Sequence, residues 1–152
     1  MMPTKQITEV RVLPMISADM DEIMAIEEVS FQFPWTEEEM FQARRVRNAI
    51  CATAWSDKSI AGFMIVNVDI GVWDIANIAV HPHFRRQGVG SQLVEKLNSR
   101  GVEWKTMTTT VRERNLAAQL FFKSLGFVAV GVIQNHYDDT DEDAYQFVRV
   151  CE

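Results

Sequence analysis

A chain of 152 residues, 47% apolar and 24% charged, can bury a core and fits one domain. Its net charge of −6 argues against a nucleic-acid partner, because phosphate binders carry a basic surface. Met1 to Arg11 lacks a secretory-type apolar run and no segment offers the roughly 20 apolar residues of a membrane span, while two cysteines, Cys51 and Cys151, suit a reducing, cytoplasmic compartment.

Residues 1–6 read as a flexible tail, and 7–150 read as one domain with no repeat or linker. Ile7 to Leu13 alternates and predicts a first strand. Ser17 then reads as an N-cap, with Met20, Ile23, Met24 and Ile26 forming the apolar stripe of a helix. Phe33-Pro34-Trp35 ends it. Thr36 with Glu39 three residues on is a capping box, predicting a second helix to about Arg47. Ile50–Trp55, Ile60–Ile70 and Val72–Val80 read as three strands whose connections are too short for crossover helices, so antiparallel pairing is expected. Gly88 to Arg100 is a helix with Val89, Leu93, Val94 and Leu97 facing inward and Gly101 stopping it. Lys105–Val111 is a Thr- and Val-rich strand. Asn115 caps a helix whose expected buried stripe is Leu116, Ala117, Leu120, Phe121 and Leu125. Phe127–Ile133 and Ala144–Val150 form a final strand pair around an acidic loop. The order βααβββαβαββ predicts an α/β chain: a mixed, mostly antiparallel sheet of about seven strands with helices on both faces.

The strongest local signal is Arg85-Arg86-Gln87-Gly88-Val89-Gly90 between a strand and a helix. Gly88 and Gly90 let backbone approach an anion without a Cβ in the way. The unpaired N–H groups of a helix start point at such a ligand, and Arg85 and Arg86 add positive charge. The pattern is neither a dinucleotide-binding G-x-G-x-x-G nor a P-loop. A metal is not expected. His81-Pro82-His83 offers two ligands without a third, and the run from Asp138 to Asp143 lacks the glycine and terminal glutamate of a calcium loop. That run reads instead as a solvated hairpin tip, which would also attract a cationic acceptor.

Arg-x-x-Gly-x-Gly following Asn77-Ile78-Ala79-Val80-His81-Pro82 resembles the acetyl-CoA signature of the GNAT N-acetyltransferases. Asn115 opening a helix that ends Leu125-Gly126-Phe127 is similar to that family's next motif. The resemblance covers roughly residues 7 to 150. Phe33-Pro34-Trp35, Asn77 to Val80 and Asn135-His136-Tyr137 look like the RimI-type branch, which acetylates protein N-terminal α-amines. The resemblance implies acetyl-CoA as co-substrate and no metal. It implies that the Ile78, Ala79 and Val80 backbone pairs with the pantetheine arm. Arg85, Arg86, Gln87, Gly88, Val89, Gly90 and Ser91 would hold the pyrophosphate, and Asn115 would contact the pantetheine.

Two positions depart from the branch. Thr110 stands where it places a catalytic Glu, and Phe122 where it places a Tyr acid; neither can do acid–base work. Asp74 is the replacement base expected from other GNAT branches, accepting the amine proton through a water. Tyr137 is the expected proton donor to the leaving thiolate or lid on the acceptor, with Phe33, Trp35 and Tyr137 walling the acceptor pocket. An α-amine, with a pKa of about 8, makes a modest demand on a base. The expected function is acetyl transfer to a primary amine, a protein or peptide N-terminus. The alternatives are a small-molecule amine as acceptor, or an acyl-CoA-binding module that has lost catalysis.

Overall fold

The computed structural model describes residues 6–98, 105–137 and 139–151. Its strands are β1 (Arg11–Pro14), β2 (Ile50–Ser56), β3 (Ser59–Val68), β4 (Val72–Val80), β5 (Thr106–Arg112), β6 (Val128–Tyr137) and β7 (Glu142–Val150). Its helices are α1 (Met20–Ser30), α2 (Glu37–Arg44), α3 (Val89–Asn98) and α4 (Leu116–Ser124), with short 3-10 turns at Ser17–Asp19 and Pro82–Phe84. This is the expected βααβββαβαββ order. The strands form one seven-stranded sheet in the order β1-β2-β3-β4-β5-β7-β6. Among the described pairings, β1–β2, β2–β3, β5–β7 and β6–β7 are antiparallel and β4–β5 is parallel. The chain divides into two compact units, Met1–Asn67 with Asn77–Val102, and Val68–Ala76 with Glu103–Glu152.

In the first unit, β3 is buried from Ile60 to Val66, on both faces, as a central strand requires. Gly62 is needed there, because a Cβ on it would lie 2.8 Å from the Ala79 carbonyl oxygen. The capping box at α2 forms as the sequence predicts: the Glu39 N–H donates to Thr36 Oγ1 and the Thr36 N–H to Glu39 Oε1, both at 3.1 Å. The helix ends at Arg44, three residues early, and the following turn places Asn48 at φ +66°. At α1 the expected Ser17 cap does not form: Ser17 opens a 3-10 turn, the N-cap residue is Asp19 without a side-chain cap bond, and Asp19 Oδ2 instead accepts the Ile16 N–H at 2.9 Å. β1 begins four residues later than predicted. Residues ahead of it bond elsewhere: the Thr8 N–H donates to the Gln87 carbonyl at 2.9 Å, and the Val10 N–H to Gln92 Oε1 at 3.1 Å. On α3 the predicted Val89, Leu93, Val94 and Leu97 are all buried. Its predicted stop at Gly101 lies outside the described residues, as does most of the predicted tail.

In the second unit, β5 alternates cleanly. Met107, Thr109 and Val111 point into the core, while Thr108 and Thr110 share the opposite, half-exposed face. The α4 stripe is a correction. Leu116 and Leu120 are 62% and 57% exposed, and Phe122 is the buried residue of the helix. The helix turns about its axis to seat its aromatic ring against Phe127, with centroids 5.2 Å apart, and Phe121 at 5.1 Å. The last hairpin is longer than predicted, because β6 continues to Tyr137 through an irregularity at which Asn135 takes φ +49°. That bulge breaks the alternation from which strands are read. Among the described residues, no helix is long and apolar enough to cross a membrane.

Candidate active site

The loop between β4 and α3, within the first unit, carries the residues read as holding the pyrophosphate. Arg86 at φ +62° and Gly88 at φ +79° turn the backbone into the left-handed region twice in three residues. The Gln92 N–H donates to the Gly88 carbonyl at 3.1 Å. The N–H groups of Gly88, Val89, Gly90 and Ser91 precede this bond and have no partner inside the helix. They form the positive end of a ten-residue helix, which suits a phosphate. This cradle fits a pyrophosphate through its backbone.

Two side chains of the loop, Arg85 and Gln87, also hold the protein itself. Arg85 donates from Nε to the Val80 carbonyl at 3.0 Å and from Nη2 to Ser30 Oγ at 3.1 Å. Gln87 donates to the His83 carbonyl at 2.9 Å and accepts from the Thr8 hydroxyl. Val89 is a core residue, 1% exposed. Arg85 and Gln87 brace the cradle, and Arg86 is exposed beside it.

Ile78, Ala79 and Val80 end β4. The described β4–β5 register stops at Ile75↔Thr109, and the Thr109 hydroxyl donates to the Ile75 carbonyl at 3.1 Å. His81 Nδ1 accepts the His83 N–H at 3.1 Å, so the two histidines close a turn. Among the described residues, no three His, Cys, Asp or Glu side chains converge as metal ligands.

Phe33 and Trp35 are half-buried in the α1–α2 connection. The Trp35 N–H is held by Glu27, a residue the sequence reading passed over. Glu27 is 1% exposed, and its Oε2 accepts the Trp35 N–H at 2.8 Å while Oε1 accepts from Asn77 Nδ2 at 2.7 Å. Burial pushes its carboxyl above the usual range. The Trp35 and Asn77 hydrogen bonds oppose that, and the charge of Glu39 adds to it. A signal for it existed: Glu27 falls on the apolar stripe of α1, four residues after Ile23, where a solvated carboxylate does not belong.

The second unit holds Asp74, Tyr137 and Asn115. The Thr108 hydroxyl donates to Asp74 Oδ1 at 2.6 Å, across the register pair Asp74↔Thr108. Thr110 lies two residues on along the same face of β5. Tyr137 is half-buried at the end of β6, with the Arg112 guanidinium 3.8 Å above its ring centroid. Burial pushes the phenol up and Arg112 opposes it, so Tyr137 keeps its proton at neutral pH. Arg112 also pairs with both oxygens of Asp139, at 2.8 and 3.1 Å, and with Glu142 Oε1 at 3.2 Å. The acidic hairpin tip is thus not simply solvated. Asp139 is exposed, but Glu142 is buried and its Oε2 accepts the Arg114 N–H at 3.0 Å. Asp74 and Tyr137 are not brought together: their β5 anchors, Thr108 and Arg112, stand four residues apart, roughly 13 Å along a strand. Asn115 caps α4 through Oδ1, accepting the Ala118 N–H at 3.1 Å, which leaves its amide nitrogen for other use. Phe122, 3% exposed, lies inside the aromatic cluster and carries no proton.

Comparison with known proteins agrees with this geometry. The Acetyltransferase (GNAT) family matches residues 20–127. The [ribosomal protein bS18]-alanine N-acetyltransferase of Escherichia coli K12 is 32% identical over 134 residues, 84% of this chain and 88% of that protein. The solved ribosomal-protein-S18-alanine N-acetyltransferase from Escherichia coli superposes with a TM-score of 0.80 at 29% identity, covering 93% of each chain. Ard1 from Thermoplasma volcanium superposes with a TM-score of 0.85 at 25% identity, covering 94% of this chain and 98% of that one. This chain belongs to the GNAT acetyltransferase family.

Proposed function

We propose that the protein transfers an acetyl group from acetyl-CoA to the N-terminal α-amine of a protein or peptide. The observation that carries this reading is the match along more than four-fifths of the chain to an enzyme named for that reaction on a ribosomal protein. Acetyl-CoA supplies the acetyl group activated as a thioester. The backbone N–H groups of Gly88 to Ser91 hold its pyrophosphate, with Arg86 adding charge, the Ile78 to Val80 backbone orients the acyl arm, and the Asn115 amide contacts the pantetheine. Phe33, Trp35 and Tyr137 wall the acceptor. As the amine nitrogen bonds to the acyl carbon and the carbon–sulfur bond breaks, Asp74 takes the amine proton through a water and the Tyr137 phenol supplies one to the departing thiolate. A chain with only two cysteines, Cys51 and Cys151, suits a cytoplasmic enzyme.

A second reading, an acyl-CoA-binding module without turnover, rests on Thr110 and Phe122, which cannot replace the acid–base pair of the branch. Thiol release from acetyl-CoA decides between them. Short peptides with free α-amines are expected to release coenzyme A at rates well above the no-acceptor control, and small-molecule amines to do so weakly. Release that no peptide accelerates would support the binding module, and preference for small amines would replace the acceptor class.

A further inference from the structure

The buried carboxylate of Glu27 joins two segments to which the proposed function gives separate tasks. On one side is the Trp35 N–H, in the connection read as the acceptor wall. On the other is the Asn77 amide, one residue before the Ile78 to Val80 backbone read as the acyl-arm strand. A carboxylate 1% exposed is costly to bury, and an apolar side chain of similar volume would pack the same space without that cost. What the carboxylate adds is geometry, because each oxygen fixes one donor at 2.7–2.8 Å. The same end of α1 reaches β4 a second time through Ser30, which accepts from Arg85 as Arg85 holds the Val80 carbonyl. The last turns of α1 thus grip β4 on either side of Ile78 and Ala79, and the Glu27 grip extends to the α1–α2 connection.

We propose that Glu27 is a positioning residue for acceptor binding, holding Trp35 at a fixed distance from the acyl-bearing end of β4. This rests on the reading of the protein as a peptide N-acetyltransferase. β4 keeps its sheet bonds without Glu27, including the His81 N–H to the Ala61 carbonyl at 2.7 Å. Loss of Glu27 therefore falls on the acceptor side. The Glu27→Met variant removes both acceptor oxygens at similar size; Glu27→Gln keeps an oxygen for the Trp35 N–H.

The test is steady-state kinetics on the full chain with a short α-amine peptide, together with hydrogen exchange of the Trp35 amide. Glu27→Met is expected to raise the peptide KM at least about 10-fold, with the acetyl-CoA KM changed less than about 3-fold. Exchange at Trp35 should speed up by at least about 10-fold while β3 amides keep their protection. Glu27→Gln should recover most of the peptide KM. Should Glu27→Met fail to fold, Glu27→Asp withdraws the carboxylate by one methylene and is read in the same way. An unchanged peptide KM with only a lowered melting temperature, or unchanged Trp35 exchange, would overturn the proposal. A wild-type enzyme that acetylates no peptide sinks the functional reading instead, and the Trp35 exchange still decides whether Glu27 fixes the connection.

Discussion

Acetyl-CoA at about 100 times its dissociation constant is expected to stabilise the wild-type protein by about 2.7 kcal/mol. For a domain of this size that is roughly 5–10 °C in Tm. The double variant Arg85→Ala/Arg86→Ala should lose most of that shift, but the two residues contribute differently. Arg85 spends its donors on the Val80 carbonyl and Ser30, so Arg85→Ala also lowers the unliganded Tm. The two exposed hydrogen bonds suggest a cost of about 0.5–1.5 kcal/mol. Arg86→Ala alone should leave the unliganded Tm nearly unchanged and reduce only the ligand shift, since Arg86 is exposed beside the cradle and nothing in the structure shows it bracing the loop. Each variant must therefore be compared with its own unliganded curve. A ligand shift in the double variant equal to that of the wild type would contradict the phosphate-cradle assignment.

The second large effect concerns the base. Asp74→Asn keeps Oδ1, the atom that accepts the Thr108 hydroxyl, so the strand pair and the side-chain position should survive. What is lost is basicity. Turnover should fall about 10²–10⁴-fold, the usual contribution of a positioned base, with acetyl-CoA stabilisation intact. Thr110→Glu is the complementary change. Thr110 is half-exposed and shares the face of β5 that carries Thr108, so the longer side chain meets solvent-accessible space near Asp74. A carboxylate there should partly rescue Asp74→Asn. Full activity of Asp74→Asn would remove Asp74 from the mechanism.

The features set by local chemistry were legible in the sequence. The Thr36–Glu39 box, the Asn115 cap and the inward face of α3 depend on residues three or four apart, and each stands where the pattern placed it. The turn into α3 was legible for the same reason, because Gly88, at φ +79°, and the helix start are neighbours in sequence. Contacts distant in sequence were not. No spacing rule links Arg85 to Ser30, Glu27 to Asn77, or Arg112 to Asp139 and Glu142, and these pairings decide which charged groups brace and which remain free. On α4, the helical period allowed more than one buried face. The face containing Phe122 won, and there the ring meets Phe127, a contact set by the chain entering β6 rather than by the helix period. Tyr137 was read as a loop residue since the irregularity around Asn135 hides the continuation of β6.

The central claim is that the acetyl group goes to a protein N-terminus. A peptide carrying a free α-amine and one internal lysine, incubated with the enzyme and acetyl-CoA and then fragmented in a mass spectrometer, locates the new acetyl group on one nitrogen. At pH 7 a useful fraction of the α-amine, with a pKa of about 8, is neutral and able to attack, whereas lysine at about 10.4 is almost wholly protonated. The expected result is acetylation of the α-nitrogen with stoichiometric release of thiol, and none when that nitrogen is blocked. Acetylation confined to the lysine, or undiminished by the block, would contradict the account.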